Sequence, residues 1–476
     1  MGKTSKKTDI EPQEWTATGF LNEFMRIHKT MEDRVFCFVL GAGASVTSGI
    51  SDGGSIAKKW LKEFYTLMEK NPDSIPIEKW ATASNLGIPG FDLNKTASFY
   101  SQIYDTRFKD DPESGYAYLE NEMKDAEPNI GYSILARILE ETRHKVIITT
   151  NFDNLVADAL SIYTNTFPLV CGHESLTGFV KPKLRRPLIA KIHRDLLLAP
   201  QSSTEGTSRL DERWAKVLTR LLEEFTPIVL GYGGNDGSLM DFLVSLDSGK
   251  LKSGIYWCYR QMDGRPEEKI RKLVKKHKGK IIPIVGFDEF MLQLGDLFGY
   301  RDLEQKIDIQ AKARVKRYGE QFLQFSKNIE LAAKDAKSKE AIKPVQKALA
   351  DAVDRENSWW AWELKARGEK DPIKKEQIYR QGLKNYTEGP ELIGSFAVFL
   401  DDIKKDYDEA EKFYLRALEL DPNDVTNTGN FARFLEDIKK DYDEAEKFYL
   451  RALELDPNDP TFAKNFKNFM KKREKN

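Results

Sequence analysis

The stretch Val35-Phe-Cys-Phe-Val-Leu-Gly-Ala-Gly-Ala-Ser-Val-Thr-Ser-Gly-Ile-Ser-Asp52 decides the fold. Val35 to Leu40 are aliphatic, aromatic or cysteine, a run short enough to be one buried strand. Gly41 and Gly43 follow at once, and a polar segment leads into the helical pattern of Ile56, Trp60 and Leu61. Glycine lets the backbone come close, and the free N–H groups of a helix start attract anions, so the pattern predicts a phosphate site at a carboxyl strand end. Val46 stands where the common dinucleotide fingerprint has its third glycine. The alternative is an ordinary strand-to-helix turn of any doubly wound domain.

Working outward, a helix is predicted from about Glu14 to Thr30, with Phe20, Leu21, Phe24, Met25 and Ile27 on its apolar face. From Ile56 to about Leu139 the pattern is mostly helical, broken at Asn71-Pro72 and at Gly87-Ile88-Pro89-Gly90. That interval exceeds a minimal crossover and predicts an inserted helical layer. Buried strands are expected at Lys145–Thr150, Leu188–His193, Pro227–Tyr232, Gly254–Tyr259 and Ile281–Val285, with helices at Asn154–Tyr163 and Glu212–Phe225. Strands alternating with helices predict an α/β, Rossmann-like, doubly wound parallel sheet, whose site lies beyond the carboxyl strand ends. Strand order is not readable from the sequence.

After about Gly299 the composition turns to charged helix, Arg301 to Asp354, with a Lys-rich stretch at Lys334–Lys339 read as a flexible joint. Phe396-Ala-Val-Phe-Leu-Asp-Asp-Ile-Lys-Lys-Asp-Tyr-Asp-Glu-Ala-Glu then recurs from Phe431, a period of 35 residues. Tyr379 and Leu383 form a fainter copy one period before Tyr414 and Leu418. The pattern resembles the tetratricopeptide repeat, with Ala410, Tyr414, Ala417 and Pro422 on its small, aromatic, small and proline positions. The extra residue is expected in the turn between the paired helices. Trp359, Trp360 and Trp362 read as the packing face of the first repeat, and Lys404-Lys405 as a solvated face. The division expected is residues 1–300, a helical connector 301–354, and an all-α repeat solenoid 355–476 with a concave partner surface.

The 476 residues carry 74 Lys and Arg against 75 Asp and Glu, a formal net charge of −1 that offers no bulk basicity for nucleic acid. Three cysteines, Cys37, Cys171 and Cys258, lie in or beside apolar runs, which is reducing-compartment usage and too few for a four-cysteine zinc module. The first residues lack an apolar signal core, Lys6 spoils a myristoylation signal, and no run is long enough for a membrane span. A cytoplasmic protein is expected, with no metal.

Four strand ends carry the chemistry: Gly41-Ala42-Gly43-Ala44-Ser45, Thr149-Thr150-Asn151-Phe152-Asp153, Lys191-Ile192-His193-Arg194-Asp195, and Gly231-Tyr232-Gly233-Gly234-Asn235-Asp236. Taken with Gly49-Ile-Ser-Asp52, these residues resemble the Sir2 family over roughly Val35 to Val285, and its bacterial anti-phage defence branch more than its protein deacylases. The resemblance implies NAD⁺ bound as substrate across the sheet's switch point and cleaved to nicotinamide and ADP-ribose. It implies that Asn151 holds the nicotinamide ribose and attacking water, that His193 is the general base, and that Asp153 orders the loop or the ribose. Gly41, Ala42, Gly43 and Ser45 would cradle the pyrophosphate; Asp52 matches the family's acidic position. The turn Gly231-Tyr232 would approach the adenine ribose, with Asn235 or Asp236 as polar contacts. A histidine titrates near neutrality, and a neutral amide holds water and a hydroxyl without adding charge.

Arg194 stands where the family usually has glycine. It would reach a phosphate, lower the His193 pKa by like-charge repulsion, or fill space the substrate needs. Gly53 and Gly54 replace the aromatic and arginine that follow the acid in deacylases. A lone His193 would read as a core histidine, and Asn151 and Asp153 as helix caps; their place in the constellation favours the site. His28, His144, His173 and His277 read as surface or structural. His193-Arg194-Asp195-Leu196 imitates a kinase loop, but Pro200 stands at the metal-binding position; Gly2-Lys3-Thr4 imitates a P-loop tail without its strand. Three functions follow: an NAD⁺ glycohydrolase triggered through the repeats by a protein partner or phage-derived signal, an NAD⁺-dependent deacylase, or a non-catalytic nucleotide sensor. Assembly as a homo-oligomer or hetero-complex is expected with the first.

Overall fold

The structure is a computed structural model describing residues 11–69, 75–181, 185–300, 303–332, 336–355, 357–386, 389–457 and 460–473. It divides into two compact units, Met1–Gln305 and Lys306–Asn476.

The first unit is built on one eight-stranded sheet: β1 Gln13–Glu14, β2 Val35–Leu40, β3 Val146–Thr149, β4 Leu169–Cys171, β5 Leu188–Lys191, β6 Phe225–Leu230, β7 Tyr256–Arg260 and β8 Lys280–Ile284. The order is β1-β8-β7-β6-β2-β3-β5-β4, and every pairing is parallel. The run β5-β3-β2-β6-β7-β8 reproduces the 3-2-1-4-5-6 order of a doubly wound dinucleotide sheet. Connections reverse direction at β2 and β6, so the crevice opens beyond Leu40 and Leu230, which are in register. The edge strands β1 and β4, two and three residues long, carry too little pattern to read from sequence.

Alternation along β2 sends Phe36, Phe38 and Leu40 to one core and Cys37 and Val39 to the other. Helices Ala17–Thr30, Ile130–Glu141 and Phe287–Leu297 cover the first face; Glu212–Glu224, Gly237–Ser245 and Glu268–Lys276 cover the second. A sheet buried on both faces needs continuous apolar strands, which explains the composition of Val35 to Leu40. The inserted layer between β2 and β3 has its own core around Trp60, Trp80, Ile103, Tyr104, Phe108 and Leu119. The break expected at Asn71-Pro72 lies outside the described residues, whereas Gly87 and Gly90 both take positive φ, 66° and 72°.

In the second unit the helices Trp359–Gly368 with Pro372–Asn385, Pro390–Phe399 with Tyr407–Leu420, and Val425–Phe434 with Tyr442–Leu455 form successive pairs. Ala410, Tyr414 and Ala417 are wholly buried. The 35th residue is taken up where the turn between paired helices begins: π-helical turns at Leu400–Lys404 and Leu435–Lys439 end on left-handed Lys405 and Lys440. The long helices Leu303–Ala332 and Ala336–Arg355 are not a separate connector. Phe322 stacks on Trp360 at 4.1 Å, and Val353 joins the repeat core with Trp359, Trp360 and Trp362. Within the Lys334–Lys339 stretch read as a joint, residues 336–339 begin the helix Ala336–Arg355, and 334–335 lie outside the described residues.

Candidate active site

Beyond the carboxyl strand ends of the first unit lies a cleft of about 990 Å³. Ala42, Gly43, Ser45, Asp52, Asn151, Asp153, His193, Gly231, Tyr232, Asn235 and Asp236 all border it. The turn after β2 and the turn after β6 meet backbone to backbone at its floor. Gly41 N–H donates to Leu230 O at 3.1 Å and Gly43 N–H to Gly231 O at 2.9 Å. A Cβ on Gly41 would stand 2.5 Å from Tyr232 Cα, and one on Gly231, whose φ is 66°, 2.3 Å from Ala44 N. These glycines therefore serve the packing of two turns.

The amide cradle expected at this turn is largely engaged within the protein. Ala44 and Ser45 N–H close 3₁₀ turns on Gly41 and Ala42 carbonyls, which leaves Ala42 N–H for a ligand. No α-helix begins directly at the glycines: the turn runs through short 3₁₀ helices Ala42–Ala44 and Val46–Ser48, and the α-helix Gly53–Met68 starts later. Asp52 caps that helix, accepting Ser55 N–H at 2.7 Å, so a carboxylate already occupies its anion-attracting end.

Ser45 is a hub, fully buried. Its one proton goes to Asp153 Oδ2 at 2.8 Å, and its oxygen accepts from Asn151 Nδ2 at 3.0 Å and Tyr132 O–H at 2.9 Å. No donor remains for a phosphate; its role is to orient Asn151 and Asp153. Asn151 Nδ2 also donates to Gly41 O at 3.2 Å, while Asn151 Oδ1 is buried without a donor among the described residues. Beside it a void of about 10 Å³, bounded by Tyr132, Thr149, Asp153 and Lys191, has room for one water. Asp153 Oδ1 accepts Leu155 N–H at 3.2 Å, and burial pushes its carboxyl upward against the pull of Ser45 and Lys191.

Lys191, missed in the sequence, is almost wholly buried. It donates to Phe152 O at 2.8 Å, Asn154 Oδ1 at 2.6 Å and Asp195 Oδ2 at 2.6 Å, tying the turn after β3 to the turn after β5. A lysine at a strand's end signals a buried ion pair only once its partners' placement is known. Phe152, between the two candidate polar residues, packs into the core of the inserted layer. That layer roofs the cleft and meets its far wall through Ser101 Oγ to Thr207 Oγ1 at 2.7 Å and Ser98 Oγ to Asn235 Oδ1 at 3.3 Å.

His193 Nε2 sits 2.5 Å from Ser238 Oγ and 3.9 Å from Asp236 Oδ1. Burial holds its imidazole below the ordinary histidine range, with the Asp236 carboxylate pulling back. Like-charge repulsion from Arg194 is not the cause, because Arg194 turns away from the cleft. Its Nε and Nη2 donate to Glu174 at 3.0 and 2.6 Å. Arg194 is thus neither a phosphate ligand nor a plug. Its φ of 70° explains why glycine suits the position, and the two-pronged grip of Glu174 holds an arginine in that left-handed conformation.

A tetratricopeptide repeat family model matches residues 403–464. That span contains the second helix of one repeat and all of the next, including both αL lysines. No curated protein matches the chain. Among the described residues there is no cluster of three or more His, Cys, Asp or Glu suited to a metal ion, and no helix long and apolar enough to cross a membrane.

Proposed function

We propose that the first unit is a Sir2-like NAD⁺ glycohydrolase, converting NAD⁺ and water to nicotinamide and ADP-ribose. In this reading it is a cytoplasmic effector of bacterial anti-phage defence, and the tetratricopeptide repeats engage the protein partner or phage-derived trigger that releases its activity. One observation carries the reading: Asn151, which borders the cleft together with His193, keeps its side-chain oxygen buried with no donor among the described residues. A buried acceptor left unpaired is unfavourable by roughly 1–3 kcal/mol, a cost that a hydroxyl or water donor relieves. NAD⁺ hydrolysis supplies both kinds of donor, the ribose hydroxyls and the attacking water.

The residues suit the chemistry. Breaking the bond from C1′ to nicotinamide builds positive charge on the ribose, and water must be held and deprotonated beside it. Asn151 is fixed by Ser45 and Gly41 through its amide nitrogen, so its carbonyl oxygen is the end left to accept a hydrogen bond. His193, kept neutral by burial, is the proton acceptor. The test is nicotinamide release by the full chain, with and without candidate activating proteins. Release that is lost in Asn151→Ala is the expected result; intact NAD⁺ under every condition, an authentic partner included, overturns the reading.

A further inference from the structure

The proposed reaction needs one unprotonated imidazole nitrogen facing the substrate, and hydrogen bonding says which one it is. Asp236 Oδ1 accepts the Ser238 hydroxyl at 2.7 Å and the Leu239 N–H at 2.8 Å, and Oδ2 accepts the Tyr232 hydroxyl at 2.6 Å. A carboxylate only accepts, so the single Ser238 proton points at Asp236. Ser238 Oγ is then the acceptor toward the ring 2.5 Å away, and the proton between them belongs to His193 Nε2. His193 Nδ1 is left bare of a proton and has no hydrogen-bond partner among the described residues. Unlike the two ring nitrogens of His277, it is not sealed from solvent.

We infer that Ser238, itself held by Asp236, is a positioning residue that locks His193 in its Nε2–H tautomer and presents Nδ1 to the substrate. This rests on the proposed hydrolysis. The bond from C1′ to nicotinamide breaks with its electron pair leaving on nicotinamide. A C1′–O bond forms to water, and the water's proton passes to Nδ1. The resulting imidazolium is stabilised through Nε2–H, Ser238 and the Asp236 carboxylate 3.9 Å away. The neighbouring cation Arg194 is paired with Glu174 and takes no part. The arrangement depends on β5 and the helix Gly237–Ser245, whose N-cap is Asp236, being brought together across 45 residues of chain.

The test combines ¹⁵N NMR of histidine-labelled full chain with NAD⁺ hydrolysis across pH, for the native protein, Ser238→Ala and Ser238→Thr. The His193 signals, assigned with His193→Gln, are expected to show a protonated Nε2 and a bare Nδ1 in the native chain and a mixture in Ser238→Ala. Ser238→Ala is expected to lower kcat about 10- to 100-fold at unchanged KM. It should also move the acid limb of the profile to lower pH, because the imidazolium loses its support; Ser238→Thr should restore both within a few-fold. A native Nδ1–H signature, or a folded Ser238→Ala with unchanged kcat and acid limb, overturns the inference. If the native chain leaves NAD⁺ intact with every activating protein, an authentic partner included, the hydrolase reading falls by itself and the tautomer signature still decides this one.

Discussion

His193 and His144 are both buried, both lie next to strands of the same sheet, and burial pushes both imidazoles below their ordinary range. They differ in what their nitrogens do. His144 precedes β3 at the amino end of the sheet; its Nδ1 accepts Phe36 N–H at 3.0 Å, so its Nε2 carries the proton and donates to His28 Nδ1 at 3.1 Å. The rings of Phe24 and Phe36 enclose it at 5.0 and 5.3 Å. His193 uses one nitrogen on Ser238 and keeps the other for the cleft. An imidazole with both nitrogens satisfied inside the core holds structure, and one with a nitrogen turned to a cavity is equipped for chemistry. Burial and the direction of a pKa shift do not separate the two cases; the count of hydrogen bonds does.

Removing each ring sharpens the contrast most. His144→Ala leaves Phe36 N–H unpaired and opens a cavity among aromatic rings, with an expected loss of about 3 kcal/mol in denaturant unfolding and unchanged turnover per folded molecule. His193→Ala is expected to do the reverse: NAD⁺ cleavage down roughly 100-fold or more, stability within about 1 kcal/mol. A folded His144→Ala protein with lowered turnover would break the distinction.

The next effect is in pH. The His144 imidazole is held at about 3, against an ordinary 6.5. A histidine whose folded pKa is depressed supports the fold as the neutral ring; that support is complete above pH 6.5 and is lost as pH falls from there toward 3. Between pH 7 and pH 5 it accounts for about 2 kcal/mol. His28 and His193 shift the same way, so native stability falls further than this. In His144→Asn the loss over that interval should shrink by about 2 kcal/mol in chemical denaturation at the two pH values, and an unchanged slope would show that the ring is not buried neutral.

How far these sites could be read before the fold was known follows from the range of each interaction. The glycine turns, the four strand ends and the 35-residue repeat are local patterns, and Asn151, His193 and Gly43 could be selected from them. Strand order was out of reach because parallel neighbours such as β2 and β6 are joined through register between residues far apart in the chain. The same distance hid Ser238 and Lys191, whose duties exist only when separate turns converge. Arg194 misled for a related reason: its residue type suggested a ligand contact, while its backbone conformation and Glu174 decided its direction.

The smallest effect tests whether an unpaired buried atom marks a site wherever it occurs. In two repeats a carboxylate of the first helix takes the hydroxyl of a tyrosine on the second: Glu363 with Tyr379 at 3.1 Å and Glu436 with Tyr449 at 2.8 Å. The repeat between them has Asp401, one methylene shorter, and among the described residues the buried Tyr414 hydroxyl has no partner at full hydrogen-bond geometry, with Asp401 and Arg433 only near it. Arg433 from the following repeat approaches Asp401 at 3.6 Å instead. Neither Tyr414 nor Asp401 borders the cleft or the void beside Asn151, and the shorter carboxylate makes this a shortfall of packing. Asp401→Glu should supply the missing acceptor and raise repeat stability by about 1 kcal/mol, read as a higher denaturant midpoint for the second unit's transition. If Asp401→Glu is neutral while Tyr414→Phe stabilises, the hydroxyl has no acceptor within reach of either side chain. Of these two orphans, Asn151 Oδ1 would then be the one for which a partner from the proposed substrate is still expected.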